Sequence, residues 1–333
     1  MERLADAGWL RACLPKSHGG EGWGTDHSGT HKAFDALRTL GRANLSVARL
    51  FEGHMNAVKL VFLYASDRRK DDVADAVSAG LLLGVWGADD PDQPLRFAQE
   101  CNHVALSGAK RFASGLGLVG QAVVTVETDA GQQMLLVPTD NEERADPTTW
   151  VMAGMRATRS GRYAFDSLQV READLLGTPG DLLTEPYFEG GIWRYCAAHL
   201  GAAEALYALL LDGLAARDRA EDRDQQRRIV DAATAIETAR LWLLRAADEV
   251  ERDGAQPVKA ALSLLARQVT EDACREVLYT AERALGMAVH VEGSAQERIA
   301  RDLRLFLCQA APDAKRVRAA RALVERRVRP EEL

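Results

Sequence analysis

The chain has 333 residues, 47% hydrophobic and 27% charged, with a formal net charge of −7. That length is enough to bury sizeable cores, and the composition is that of an ordinary globular protein. The acidic balance goes against general nucleic-acid binding, which needs surplus Lys and Arg, and no apolar run approaches the ~20 residues that span a bilayer. The first ten residues lack the basic start, apolar run and cleavage site of a signal peptide, so a cytoplasmic setting is expected. Cys13, Cys101, Cys196, Cys274 and Cys308 are odd in number and include no Cys-x-x-Cys pair. They read as reduced, mostly buried thiols, not as disulfides or a zinc site.

Residues 1–80 carry a helical pattern. Ala33, Leu37 and Leu40 recur at three and four residues, as do Met55, Val58 and Phe62. Pro15 and the glycines of Leu14–Gly24 interrupt it and predict a shaped loop. From about 81 the period changes to that of strands, with candidates at Leu81–Trp86, His103–Ser107, Ala122–Glu127, Gln133–Val137, Trp150–Ala153 and Tyr163–Phe165. Asp129-Ala130-Gly131 between two apolar runs reads as a hairpin turn. Short strands so close together predict an antiparallel sheet or small barrel over 81–185. From 186 the chain is helical again. Ile229, Ala232, Ile236, Ala239, Leu243, Ala247 and Val250 mark one face of a long helix that stops at Asp253-Gly254. Val258, Leu262, Leu265, Val269, Ala273 and Val277 mark a second one, and 186–333 reads as a helical bundle. The charged run Asp218–Arg228 reads as solvated helix ends or a loop. Helices, then strands, then helices make an α+β order. No Gly-x-Gly-x-x-Gly follows a strand and no Walker motif occurs, which disfavours nucleotide-loop enzymes.

Five stretches in this order carry a resemblance. They are Ala7-Gly8-Trp9 with Pro15 and His18–Gly22; Leu106–Gly115; Gly154–Ser160; Arg194–Gly201; and Glu297–Asp302. Together they resemble the acyl-CoA dehydrogenase family. The resemblance implies an N-terminal helical domain (1–80), a central antiparallel β domain (81–185) and a C-terminal helical bundle (186–333). It implies FAD as cofactor, an acyl-CoA or acyl-carrier thioester as substrate, and a homodimer or homotetramer. Oxidation at Cα–Cβ is the implied reaction, with a carboxylate taking the α-proton. Flavin monooxygenase or oxidase chemistry on the same fold, and a non-catalytic relative, stay open beside it.

The implied site residues depart from the family pattern in several places. Phe112 stands at the aromatic against the flavin and Ser114 at the flavin-bonding Thr; a core strand residue and a turn serine are the plainer alternative. Trp86 and Gly87 stand at the strand end where "Thr-Glu-Pro-x-x-Gly-Ser-Asp" is lost, so only backbone contacts carry over. Arg217 or, in the favoured match, Arg219 lies near the diphosphate-binding arginine. Gly286 matches the first Gly of "Leu-Gly-Gly", with Met287 at the second. Arg194 matches the arginine that opens the bundle helix and is implied in substrate binding. The usual catalytic Glu falls on Ala310, and its alternative place on the bundle helix falls on Trp193. Neither side chain takes a proton, so the catalytic group is unknown. Glu185, Glu189, Asp181 and His199 are the nearest titratable candidates.

Overall fold

The computed structural model describes residues 1–100, 103–309, 311–326 and 329. Five helices come first: α1 (Glu2–Asp6), α2 (Trp9–Ala12), α3 (Thr30–Ala43), α4 (Leu45–Tyr64) and α5 (Asp67–Ser78). Ala33, Leu37, Leu40, Met55 and Val58 are all buried, as their spacing predicts, and Phe62 sets its ring against His18. The loop after α2 is shaped by close backbone approach. A Cβ on Gly20 would lie 2.0 Å from the Leu14 carbonyl oxygen, so only glycine fits.

Ten strands follow: β1 (Leu83–Trp86), β2 (Arg96–Glu100), β3 (His103–Ser107), β4 (Ala109–Ala113), β5 (Gln121–Thr128), β6 (Gly131–Pro138), β7 (Ala145–Asp146), β8 (Gly161–Ala164), β9 (Leu168–Arg171) and β10 (Leu175–Leu176). They form sheets of order β1-β5-β6-β10, β2-β3-β9 and β4-β8-β7. The pairings are antiparallel except that of β1 with β5, which is parallel. The long excursion between those two strands permits this, because parallel neighbours need a crossover. Thr128 pairs with Gly131, so Asp129-Ala130 is the two-residue turn read from the sequence. Ala122–Val126 are buried without alternation, the mark of a strand covered on both faces.

One expected strand is absent, and the observed strand β4 was not expected. Trp150–Ala153 is not a strand but an irregular link between short 3₁₀ turns at Pro147–Thr149 and Arg156–Thr158. Its Val151 is 85% exposed, so no sheet face claims the run's apolar side chains. The strand at β4 escapes period-two reading because a bulge between Lys110 and Ala113 breaks its alternation.

Among the described residues five more helices follow: α6 (Trp193–Ala215), α7 (Arg223–Glu251), α8 (Ala260–Leu285), α9 (Ala295–Leu307) and α10 (Pro312–Arg326). The apolar stripe on α7 is buried at Ala232, Ala239, Leu243, Ala247 and Val250, and Gly254 follows the helix end at φ 71°. Helix α8 is buried on more than one face because α6, α7 and α10 all pack on it. Helix α6 is buried continuously over Trp193–Ala203, the pattern of a central helix.

Internal contacts divide the chain into two compact units. One contains Met1–Ala33, Leu50–Met152 and Arg156–Thr184; the other contains Phe34–Arg49, Ala153–Met155 and Glu185–Leu333. His54 ties the first unit together. The Leu83 N–H donates to its Nδ1 (3.0 Å), so Nε2 carries the hydrogen and donates to the Leu10 carbonyl (3.1 Å). Burial pushes the His54 pKa down to about 4 and keeps the ring neutral. In the second unit α3 and α6 cross through glycine. A Cβ on Gly41 would lie 2.2 Å from the Ala198 carbonyl oxygen, and one on Gly201 would lie 2.1 Å from that of Arg38.

Candidate functional site

The strand unit assembles four of the sequence-predicted residues. Trp86 ends β1 with its indole only 2% exposed, and Nε1 donates to the Ser114 carbonyl at 3.0 Å. Its ring belongs to the core beside Tyr163, so any ligand contact falls to the backbone. Gly87 follows in the open; a Cβ there would meet only Thr125 Oγ1, at 3.8 Å. The segment after Gly87 lies along β4, with Arg111 N–H donating to the Ala88 carbonyl and Asp90 N–H to the Ala109 carbonyl.

Phe112 sits at the bulge with φ 55°, a left-handed conformation that costs a bulky residue energy. Bulges re-aim side chains, and this one leaves the Phe112 ring 45% exposed. The Arg111 guanidinium lies 4.8 Å from the ring centre, and Trp150 meets it edge-on at 6.1 Å. Ser114 is half-buried at the end of a hydroxyl chain. Thr158 and Ser160 are 2.7 Å apart, and Ser160 donates to Ser114 at 3.2 Å. The hydroxyl of Ser114 in turn donates a long bond, 3.4 Å, to the Phe112 carbonyl.

Sequence reasoning missed the group beneath this surface. Lys110 is fully buried, and its ammonium donates to Asp89 Oδ1 (2.6 Å), the Gly87 carbonyl (3.3 Å) and Thr125 Oγ1 (3.3 Å). Burial pulls its pKa below the usual lysine value, and the Asp89 carboxylate works against that pull. Lys110 lies in the Leu106–Gly115 stretch that carries the resemblance, but has no role assigned from the sequence.

The helical unit closes the other predicted place. Trp193 is fully buried and donates its indole N–H to Glu251 Oε1 at 3.0 Å. The same oxygen accepts from the Arg194 guanidinium, and both charged side chains are nearly buried. Trp193 is thus a donor here, and the charge of Arg194 is met from within. Glu251, the last residue of α7, lies 57 residues from Arg194, which hid the pair from any local pattern.

The other titratable candidates have structural partners. The Glu185 carboxylate accepts from the Glu189 and Gly190 N–H groups, and burial pushes its pKa up against those bonds. Glu189 forms an ion pair with Arg318. Asp181 accepts from the N–H and hydroxyl of Thr178. His199 stands edge-on to Phe306 at 4.4 Å, with its Nε2 buried and unpartnered. Burial and the nearby Arg267 charge push its pKa down to about 3. Arg219 is exposed and bonded to Asp222, and Arg217 reaches the Leu285 carbonyl. Gly286 turns the end of α8, where an added Cβ would have nothing within 4 Å, and Met287 beside it is 88% exposed. Ala310 lies outside the described residues.

This architecture has close structural counterparts. Residues 188–308 match the family model for the acyl-CoA dehydrogenase C-terminal domain. The chain thus carries an acyl-CoA dehydrogenase C-terminal domain and has the acyl-CoA dehydrogenase fold. It is 25% identical over 340 residues to a 3-sulfinopropanoyl-CoA desulfinase of Variovorax paradoxus, covering 92% of this chain and 81% of that one. Butyryl-CoA dehydrogenase of Megasphaera elsdenii superposes with a TM-score of 0.84 at 18% identity, over 97% of this chain and 88% of the other. The methanesulfinate monooxygenase MsuC of Pseudomonas fluorescens superposes at 0.82 with 19% identity, over 99% and 90%.

Members of this acyl-CoA dehydrogenase-like family are flavoproteins. At the ends of β1 and β4 stand an exposed aromatic ring, a half-buried hydroxyl and an unobstructed glycine, groups whose chemistry suits one face of a flavin. The fit is poorer at Arg219, already engaged by Asp222, and beside Gly286, where Met287 adds bulk. Among the described residues no cluster of His, Cys, Asp and Glu has metal-binding geometry, and no helix is long and apolar enough to cross a membrane. Of the described cysteines, Cys13, Cys196 and Cys274 are buried, while Cys308 is exposed. Cys101 lies outside the described residues.

Proposed function

We propose that this chain binds FAD and acts as a flavin-dependent oxidoreductase whose reaction does not run through its family's usual carboxylate. The flavin supplies the redox chemistry when bound. Phe112, Ser114 and the backbone of Trp86-Gly87 hold it, with Arg219 and Gly286 contributing from an assembled dimer or tetramer. Arg194 braces the start of α6. One observation carries the reading: Trp193, at the base position of the bundle helix, is a buried N–H donor to Glu251. With alanine at 310, neither usual position accepts a proton. Monooxygenase chemistry, in which no α-proton is removed, suits that site best.

A second reading, oxidation of an acyl thioester at Cα–Cβ, draws support from the thioester named for the Variovorax relative. The two readings separate on one preparation. FAD and FMN are titrated into purified protein, and the loaded protein is then mixed anaerobically with a panel of acyl-CoA thioesters. The first reading expects flavin binding, no bleaching by thioesters, and oxygen uptake once the flavin is reduced. Rapid bleaching by a thioester would replace it with the second, and failure to bind either flavin would remove both.

A further inference from the structure

A lysine with no exposed surface is rare, because its charge must be taken out of water. Lys110 achieves this with three acceptors, two of which, the Gly87 carbonyl and the Asp89 carboxylate, belong to the segment following β1. Asp89 also accepts the Leu95 N–H at 3.1 Å, which pins the far end of that segment. Lys110 itself stands immediately before the bulge that turns Phe112 outward. A single ammonium therefore joins the open glycine of one strand end to the strained aromatic of its neighbour. Stability alone gives no reason for this arrangement, since packed apolar residues commonly serve a buried site as well as an ion pair does.

We propose that Lys110 and Asp89 are a positioning pair for the flavin, fixing the Gly87–Asp89 backbone relative to the Phe112 bulge. The proposal rests on the flavin reading above. The pair touches no reacting atom; it acts through Gly87 and Phe112. The side chains of the lost "Thr-Glu-Pro" stretch are then replaced by rigidity supplied from underneath.

The test compares wild type, Lys110→Met and Asp89→Asn. Flavin affinity is read by fluorescence titration with FAD and with FMN, the reduction potential of the bound flavin is measured, and hydrogen exchange is followed at residues 87–90 without flavin. Each folded variant is expected to bind flavin about tenfold more weakly, as for loss of a charged hydrogen bond. Exchange at 87–90 should quicken and the bound-flavin potential should shift. A purely structural role would lower the melting temperature and leave both the affinity and the potential of folded protein unchanged, which would overturn the proposal. If Lys110→Met does not fold, Asp89→Asn, which keeps its size, decides by the same readouts. Wild type that binds neither flavin would overturn the functional reading and this proposal with it. Wild-type binding with equally tight variants would overturn this proposal alone.

Discussion

The strand surface at Gly87, Phe112 and Ser114 and the helix start at Trp193 and Arg194 treat their polar groups in opposite ways. The strand surface leaves an aromatic ring, a weakly bonded hydroxyl and bare backbone facing outward, over a buried ion pair. The helix start turns inward, and its indole and guanidinium share one buried carboxylate. Open groups are available to a ligand, whereas internally satisfied ones hold a fold. Strain and exposure persist on the strand surface, whereas the helix start is filled as core.

The sharpest way to break this comparison is at Glu251. Glu251→Ala leaves the buried Arg194 without its carboxylate and should cost about 3–5 kcal/mol in urea unfolding. A near-neutral result would mean that the helix start is not held from within.

Acid offers the next test, because each unit carries a buried histidine. Both His54 and His199 titrate near 6.5 when unfolded and are pushed down to about 4 and about 3 when folded. Below pH 6.5 the unfolded chain binds protons that the folded chain refuses, so stability is full above that pH and is lost as pH falls. By pH 4 each histidine should have withdrawn about 3 kcal/mol. Their substitutions should then differ at pH 7. His54→Leu strands the Leu83 N–H and should cost about 1–3 kcal/mol. His199→Leu strands nothing at Nε2, should be nearly neutral, and should flatten the acid limb.

Arg219→Ala makes the smallest change, within about 0.5 kcal/mol of wild type in the same unfolding assay. Its ion pair with Asp222 is exposed and local. A flavin affinity unchanged by this substitution would assign the holding of cofactor to the strand unit.

The fold was readable in the sequence because hydrophobic period changes twice along the chain, and Ala33, Leu37, Ala239 and Leu243 lie buried where their spacing put them. Trp150–Ala153 misled because an apolar run says nothing about whether a neighbouring strand exists. The positions of Phe112 and Ser114 came from a motif, but the exposure of the ring came from a bulge that no alternation predicts. Lys110 and Glu251 were invisible as site residues. Their significance depends on partners at Asp89 and Arg194, and a charged residue read alone looks solvated.

The crossing of α3 and α6 has a mechanical consequence. Gly41 and Gly201 let two helix backbones touch, so the axial position of α6 is set there with no side chain to act as a cushion. Trp193 lies eight residues up the helix from Gly201, roughly 12 Å along its axis. The crossing is a fulcrum and the start of α6 is its arm. A methyl group added at either glycine would tilt that arm, and a substitution far in sequence from Trp193 would misalign the indole, the guanidinium and their shared carboxylate together.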